Sequence, residues 1–201
     1  MSKQLVSFVL DNSASVSKEK LAALMNGFRR LAASGAQYPF LEWELLTFDA
    51  FAPDVVKSFA DAEIRPVRAG RMPLLRRATQ VAADRLLSRV SELESAGEEV
   101  FRPWIVILSD GFTFDEPSAV VAQLEEMEQS GRLMYLPFKL SGKLYTERMQ
   151  SLDRVKHMIT IKEGQIDQFF TFFEGMLDRR AEGAEGGLKF RKNDFEGWAV
   201  L

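Results

Sequence analysis

The sequence predicts an α/β fold: a doubly wound, mostly parallel six-stranded sheet with helices on both faces and one antiparallel edge strand. Short apolar runs alternate with segments whose apolar residues recur every three or four positions, and this alternation implies right-handed crossovers between parallel strands. One run, Trp104 to Leu108, is continuously apolar and rich in β-branched residues, which is typical of a strand buried on both faces.

In the first half of the chain the pattern predicts a strand, a helix, two more strands and a second helix. Apolar residues at three- and four-residue steps from Leu21 to Leu31 give the first helix one buried face. Prolines interrupt the extended stretch 52–67, which indicates an edge strand, and Pro73 suits a first helical turn. The predicted bounds are a strand at 5–10, a helix from after Ser17 to Gly35, a strand at 41–48, the edge stretch 52–67 and a helix at 73–97.

The second half continues the alternation and ends in a tail. Its predicted elements are a strand at 104–108, a helix at 117–130, a strand at 133–140, a short helix at 145–152, a strand at 155–161 and a helix at 166–178. Residues 1–180 are therefore expected to form one domain, followed at 181–201 by a Gly-rich linker and a C-terminal tail. The tail aromatics Phe190, Phe195 and Trp198 either fold back on the domain or dock on another chain, and we favour docking.

Composition limits the classes of function. A chain of 201 residues, 46% hydrophobic and 27% charged, suits one globular domain with a full core. The net charge of -3 gives no general attraction to nucleic acid or an anionic membrane, so neither is an expected partner. Without cysteine there is no thiol nucleophile or thiolate metal site, and a reducing compartment is favoured. The start of the chain leads directly into a strand, without a signal-type segment, so we expect a cytoplasmic protein.

The pentapeptide Asp11-Asn12-Ser13-Ala14-Ser15 follows the first strand and is the strongest indication of function. One carboxylate followed by hydroxyls at alternate positions is a set of oxygen ligands suited to a hard cation such as Mg²⁺. The alternative is that Ser13, Ser15 and Ser17 only cap the following helix.

Acidic residues also follow other strands. Asp49 ends the second strand and Asp110 ends the central one. Because parallel strands end at the same edge of a sheet, Asp11, Asp49 and Asp110 should lie on one rim, where ligands bind in open α/β sheets. The sequence therefore predicts a site at this rim.

With Asp11-Asn12-Ser13-Ala14-Ser15 after the first strand and Ser109-Asp110-Gly111 after the central one, residues 3–178 resemble a von Willebrand factor A (VWA) domain. The resemblance implies a metal-ion-dependent adhesion site with Asp11, Ser13, Ser15 and Asp110 as ligands to Mg²⁺, or to Mn²⁺ or Ca²⁺. It implies a module that binds a partner protein and is not an enzyme.

The short form of the chain looks most like bacterial tellurite-resistance-associated VWA proteins. That resemblance implies a cytoplasmic adaptor that acts beside a protein kinase and a metal-dependent phosphatase, in a stress-response or defence system.

One loop departs from the family pattern. Where the family has Gly-Gly-Thr-Pro-Leu, this chain has Gly70-Arg71-Met72-Pro73-Leu74. Met72 replaces the ligating Thr, and a thioether is a poor partner for Mg²⁺. Arg71 either partly replaces the metal with its own charge or points to solvent, with Met72 packed inward and water filling the gap; we favour the second. Metal binding is expected to be weak.

Other residues are candidates for holding the partner. Asp49 and Asp115 could orient water or hydroxyls around the metal, although a surface-turn role is the simpler interpretation of Asp115. Five arginines surround the middle loop, and guanidinium groups bind carboxylate and phosphate in two places, which points to an acidic or phosphorylated partner. A solvated basic loop is the commoner outcome of such a cluster. Arg68 and Trp198 are the predicted docking residues. The five arginines are Arg65, Arg68, Arg71, Arg76 and Arg77.

The main alternative is an aspartate-based, Mg²⁺-dependent phosphotransfer protein. A haloacid-dehalogenase-type phosphatase would need an Asp where Ser13 stands, whereas a receiver-like protein would use Asp110 as phosphoacceptor and Lys139 as its cationic partner. A serine hydrolase is less favoured, since the only histidine is His157, in a predicted strand, and there is no Gly-x-Ser-x-Gly motif. No Walker or Gly-x-Gly-x-x-Gly loop supports a nucleotide cofactor.

Overall fold

The computed structural model describes residues 2–48, 53–67, 74–111, 113–140, 158–183 and 192–200. The strands are β1 (Gln4–Asp11), β2 (Leu41–Phe48), β3 (Pro53–Lys57), β4 (Trp104–Ser109), β5 (Met134–Leu140), β6 (Ile159–Ile161) and β7 (Ala199–Val200). The helices are α1 (Lys18–Ala33), α2 (Leu75–Ser95), α3 (Ser118–Gln129) and α4 (Ile166–Ala181), with short 3₁₀ turns at Ser34–Ala36 and Lys192–Phe195.

The seven strands form one sheet in the order β3-β2-β1-β4-β5-β6-β7. The five central strands are parallel, and β3 pairs antiparallel with β2 at one edge. This confirms the predicted fold class and its antiparallel edge. The expected number of six strands is wrong by one, because Ala199–Val200 adds an antiparallel strand to β6 at the other edge.

Register brings the ends of the central strands together. Asp11 pairs with Phe48 of β2, while Leu10 pairs with Leu108 of β4. Asp11 and Asp110 therefore lie at the same rim of the sheet, as the sequence predicts. Asp49 lies outside the described residues.

Helices cover both faces of the sheet and bury two different kinds of core. Under α1 and α4 the core is aromatic: the ring centroid of Phe8 lies 5.0 Å from Phe28 and 5.1 Å from Phe173. Under α2 and α3 the core is aliphatic, and α2 contributes small alanines to it. The aromatic side also contains Gly27, where an added Cβ would come within 1.9 Å of the buried ring of Phe170. This glycine allows α1 and α4 to pack closely.

Most predicted elements are present with small shifts at their ends. The strand at 41–48 has the predicted bounds, and the last helix continues to Ala181. The edge strand is shorter than the predicted stretch, since only Pro53–Lys57 pairs with β2. The strand predicted at 155–161 is described only from 158, with β6 at Ile159–Ile161, and the helix predicted at 145–152 lies outside the described residues. In the described part of the chain, no helix combines the length and apolarity needed to cross a membrane.

The tail residues Phe195 and Trp198 pack on the domain. The ring of Phe172 on α4 lies 5.1 Å from that of Phe195 and 5.3 Å from that of Trp198, and both tail aromatics are buried. The Trp198 indole nitrogen donates a hydrogen bond to the carbonyl of Asp194 at 2.9 Å. The expectation that Trp198 docks on another chain is corrected, because its ring already covers Phe172. The domain boundary at residue 180 stays a prediction, and Phe190 lies outside the described residues.

Candidate functional site

The loop after β1 forms a tight turn that holds its own aspartate. The backbone N–H of Ser13 donates to Asp11 Oδ1 at 2.9 Å, and the N–H of Val16 donates to the carbonyl of Ser13 at 3.1 Å. The helix cap comes later, since Ser17 Oγ accepts from the N–H of Lys20 at 3.3 Å. The structure thus separates the two roles weighed for these serines: Ser17 caps α1, whereas Ser13 and Ser15 precede the cap.

The hydroxyls of Ser13 and Ser15 share a hydrogen bond, with their oxygens 2.8 Å apart. Ser13 is buried and Ser15 is half-buried. Two adjacent ligands of an octahedral Mg²⁺, each about 2.05 Å from the metal, are separated by about 2.9 Å. The hydroxyl pair therefore already has the spacing of two neighbouring ligand positions.

A serine on β4 connects the carboxylate of Asp11 to the turn that follows Asp110. Ser109 Oγ donates to Asp11 Oδ2 at 2.8 Å and accepts from the N–H of Gly111 at 3.0 Å. Gly111 has a φ of 90°, a conformation that favours glycine, and this turn follows Asp110 directly. The sequence assigned no role to Ser109, although its register opposite Asp11 in neighbouring parallel strands is the signal that could have found it.

Burial and a neighbouring charge disfavour the ionised form of Asp11. Asp11 is fully buried and Asp110 is 8% exposed. Burial and, to a lesser extent, the negative charge of Asp110 raise the pKa of Asp11 to about 6, although hydrogen bonds from Ser13 and Ser109 act to lower it. A bound cation acts in the opposite direction and favours the ionised carboxylate.

The donor chemistry fits a hard divalent cation. The four predicted ligands are two carboxylates and two hydroxyls, all oxygen donors of the kind that Mg²⁺ and Ca²⁺ prefer. Within the described ranges, no group of three or more His, Cys, Asp or Glu side chains could hold a metal. A metal here would therefore depend on the serine hydroxyls as well as on the two buried carboxylates.

Asp115 accepts a hydrogen bond from Thr113, and Thr113 in turn contacts the start of α2. Thr113 donates its hydroxyl hydrogen bond to Asp115, and the same hydroxyl accepts from the N–H of Leu75 at 3.3 Å. Leu74, the N-cap residue of α2, provides no side-chain cap, so Thr113 supplies one from a different loop. The sequence missed Thr113 because its partner is 38 residues away. A role for Asp115 at the metal stays a prediction.

Three of the five arginines predicted around the middle loop lie in the described part of the chain. Arg65 pairs with Asp54 at 3.1 Å, and both side chains are largely exposed. Arg76 and Arg77 are exposed in the first turn of α2, which contains no acidic residue. The predicted site residues Arg68, Arg71 and Met72 lie outside the described residues, as does His157. Lys139 lies on β5 in register with Ser109.

A second buried carboxylate lies on β2, in register with Ser7 of β1. Glu44 accepts from Ser7 Oγ at 2.8 Å and from Arg85 Nε of α2 at 2.8 Å. Burial raises the pKa of Glu44, while Ser7, Arg85 and Lys57 lower it. The ammonium of Lys57 donates to the carbonyl of Trp43 at 2.8 Å and lies 4.4 Å from the centre of its ring.

Together, the topology and the rim define an open α/β sheet with a polar site at the ends of its strands. No protein-family model and no curated protein matches the sequence. The structure is similar to the SpRpn10 VWA domain, with a TM-score of 0.57 and 13% identity over 93% of this chain and 100% of that one. It is also similar to the pilus adhesin SpaC from Lactobacillus rhamnosus GG in its open conformation, with a TM-score of 0.61 and 10% identity over 89% of this chain.

The match covers 30% of the adhesin, so this chain spans less than a third of that protein. Identities this low show the fold alone. The chain has a VWA fold.

Proposed function

We propose that this protein is a non-enzymatic module that binds a partner protein through a metal-ion-dependent adhesion site at its sheet rim. The observation that carries the proposal is the hydroxyl pair of Ser13 and Ser15, whose oxygens lie 2.8 Å apart beside two buried carboxylates while Ser17 caps the helix. Asp11, Ser13, Ser15 and Asp110 would hold the ion. In this proposal the hydroxyls of Ser13 and Ser15 act as metal ligands, because the capping of α1 is already provided by Ser17.

A bound Mg²⁺ would supply an electrophilic position that accepts a carboxylate oxygen from the partner. The protein's own groups prepare the site. Ser109 and the N–H of Ser13 fix both oxygens of Asp11, and the turn at Gly111 follows Asp110 on the neighbouring strand. Because only the two carboxylates of Asp11 and Asp110 would carry negative charge to the ion, it would keep affinity for an anionic ligand.

Positive charge beside the rim supports an acidic or phosphorylated partner. Arg76 and Arg77 are exposed in the first turn of α2, and that turn contacts the loop after Asp110 through Thr113 and Leu75. Guanidinium groups bind carboxylate and phosphate in two places. The finer proposal, an adaptor beside a protein kinase and a metal-dependent phosphatase in a stress or defence system of the tellurite-resistance type, rests on motif resemblance.

Calorimetric titration with MgCl₂ and MnCl₂ tests the metal site. We expect weak binding by the unmodified chain, no binding by the Asp11→Asn, Asp110→Asn double variant, and unchanged binding by Asp54→Asn, an exposed acid on the edge strand β3 that is paired with Arg65. Micromolar or tighter binding would show that the site is not weakened by its changed middle loop. Equal heats from the wild type and the double variant would exclude these carboxylates as ligands. Capture of partners from the native host with and without chelator then tests whether binding depends on the metal.

The register of Lys139 beside Ser109 favours a second candidate, a receiver-like phosphotransfer protein. It places a lysine one strand away from Asp110, at the same rim. Labelling with acetyl phosphate distinguishes the two. Stable incorporation at Asp110 that is lost in Asp110→Asn would replace the binding proposal, whereas no incorporation in the presence of Mg²⁺ supports it.

A further inference from the structure

The loop after β4 exposes a phenylalanine beside the proposed metal site. Phe114 is 54% exposed, and among the described residues the other large apolar side chain so exposed is Val200, on β7. Exposed aromatic side chains are costly in water and are frequent anchors of protein interfaces. Phe114 is therefore a candidate contact for the partner.

The residues around Phe114 hold it in place. Thr113 before it and Asp115 after it are joined through their side chains, and Thr113 also accepts from the backbone N–H of Leu75 at 3.3 Å. Pro117, which follows shortly, is buried at the start of α3. Phe114 is thus presented by a segment with fixed neighbours, and binding requires little ordering of the loop.

Phe114 lies within reach of the same ligand as the metal site. Phe114 is the fourth residue after Asp110, so their Cα atoms are at most about 14 Å apart. The contact of Thr113 with Leu75 places this loop over the first turn of α2, where Arg76 and Arg77 are exposed. An apolar ring and two cations therefore lie near the carboxylate rim.

We propose that Phe114, Arg76 and Arg77 form a specificity surface for a short acidic peptide segment. The segment would place a carboxylate at the metal and a large apolar side chain on Phe114, within about four residues of that carboxylate. This inference rests on the proposed function and deepens it by naming the partner's chemistry. Charge complementarity favours a peptide, because both the ion and the arginines select anions while the ring selects an apolar neighbour.

Selection of a phage-displayed library of random dodecamers on the immobilised full-length chain tests this proposal. With millimolar MgCl₂ we expect enrichment of peptides that contain an acidic residue and a large apolar residue within four positions of it. On Phe114→Ser the acidic residue should stay enriched while the apolar preference disappears. Val200→Ser is the matched control, since it removes an equally exposed apolar side chain from the far edge of the sheet and should select the same peptides as the wild type.

A selected peptide is then synthesised, and its binding is measured by fluorescence polarisation. We expect affinity to fall about tenfold on Phe114→Ser, the effect of losing part of a buried aromatic contact. Arg76→Glu with Arg77→Glu should weaken binding further, and both variants should unfold at the wild-type temperature because the changed side chains are exposed.

The outcomes separate the two proposals. Acidic peptides without an apolar neighbour, or an apolar preference that persists on Phe114→Ser, would overturn the role of Phe114 and leave the metal-dependent function standing. Selection that is unchanged by EDTA, or no selection at all, would overturn both. Wild-type self-association that is lost on Phe114→Ser in sedimentation would assign the ring to a second copy of this chain and overturn the peptide proposal.

Discussion

Two buried carboxylates on neighbouring strands, Glu44 and Asp11, have opposite surroundings. Glu44 is flanked by the hydroxyl of Ser7 and the guanidinium of Arg85, and these neighbours lower a pKa that burial raises. Among the described residues, the charged neighbour that shifts the pKa of Asp11 is Asp110, and it raises it further. The negative charge of Glu44 is balanced within the fold by the guanidinium of Arg85. The negative charge of Asp11 is disfavoured by burial and by Asp110, as we expect of a site that would bind a cation and not of a structural ion pair.

Removing Arg85, the cationic partner of Glu44, should have the largest effect on stability. Arg85→Ala leaves a fully buried carboxylate without its guanidinium, and loss of one partner of a buried pair is strongly destabilising. Because Arg85 itself reaches solvent, we expect a loss of about 3 kcal/mol in the free energy of unfolding, at the low end of that range. Urea unfolding at neutral pH measures it. Arg89→Ala, which breaks a pair with the less buried Glu42, should cost much less, and equal losses would contradict the special position of Glu44.

Neutralising Asp11 should have the opposite effect and raise the free energy of unfolding. In the presence of EDTA, Asp11→Asn removes a charge that the fold disfavours, so the free energy of unfolding at neutral pH should rise by about 2 kcal/mol, somewhat less than the full cost of a two-unit pKa shift. Asp54→Asn, an exposed acid, should leave stability unchanged. A clear loss of stability in Asp11→Asn would mean that the carboxylate supports the fold.

The same comparison predicts a pH dependence. A carboxylate whose pKa is raised on folding stabilises the protein below its unfolded value and loses that contribution as pH rises through the folded value. In EDTA the wild type should therefore lose stability between pH 3.8 and about 6 relative to Asp11→Asn. Thermal unfolding of both proteins across this range measures the difference. Parallel curves would contradict the raised pKa, and added Mg²⁺ should restore wild-type stability at neutral pH.

The smallest expected effects on stability come from two serines, Ser7 beside Glu44 and Ser15 in the turn that holds Asp11. Their comparison discriminates best between a structural role and a ligand role. Ser7→Ala removes a hydrogen bond to a buried carboxylate and should cost about 1.5 kcal/mol in free energy of unfolding. Ser15→Ala removes a half-buried hydroxyl that precedes the helix cap, and should cost less than about 0.5 kcal/mol while reducing the Mg²⁺-induced rise in melting temperature. If Ser15→Ala destabilised the metal-free protein as much as Ser7→Ala, the hydroxyl pair would be part of the fold.

The sequence predicted the strands, the sheet class and the juxtaposition of Asp11 with Asp110, because these depend on local pattern and on the rule that parallel strands end at one edge. It did not predict the buried pair of Glu44 and Arg85, whose members lie on different elements 41 residues apart. It also missed β7, because a two-residue strand is too short to show an alternating apolar pattern. Ala199 and Val200 form a strand only through their pairing with β6. Contacts between residues that are distant in the sequence cannot be predicted from a short segment, whereas a motif can be recognised there.

The packing around Gly27 links the hydrophobic core to the position of the candidate site. A side chain there would push against Phe170, whose ring is also packed edge-to-face with Phe28 at 5.1 Å. Relief of that clash would shift α1, and α1 begins directly after the turn that carries Ser13 and Ser15. A random mutagenesis screen for lost partner binding should therefore recover substitutions at Gly27 among folded variants, even though this residue touches no ligand.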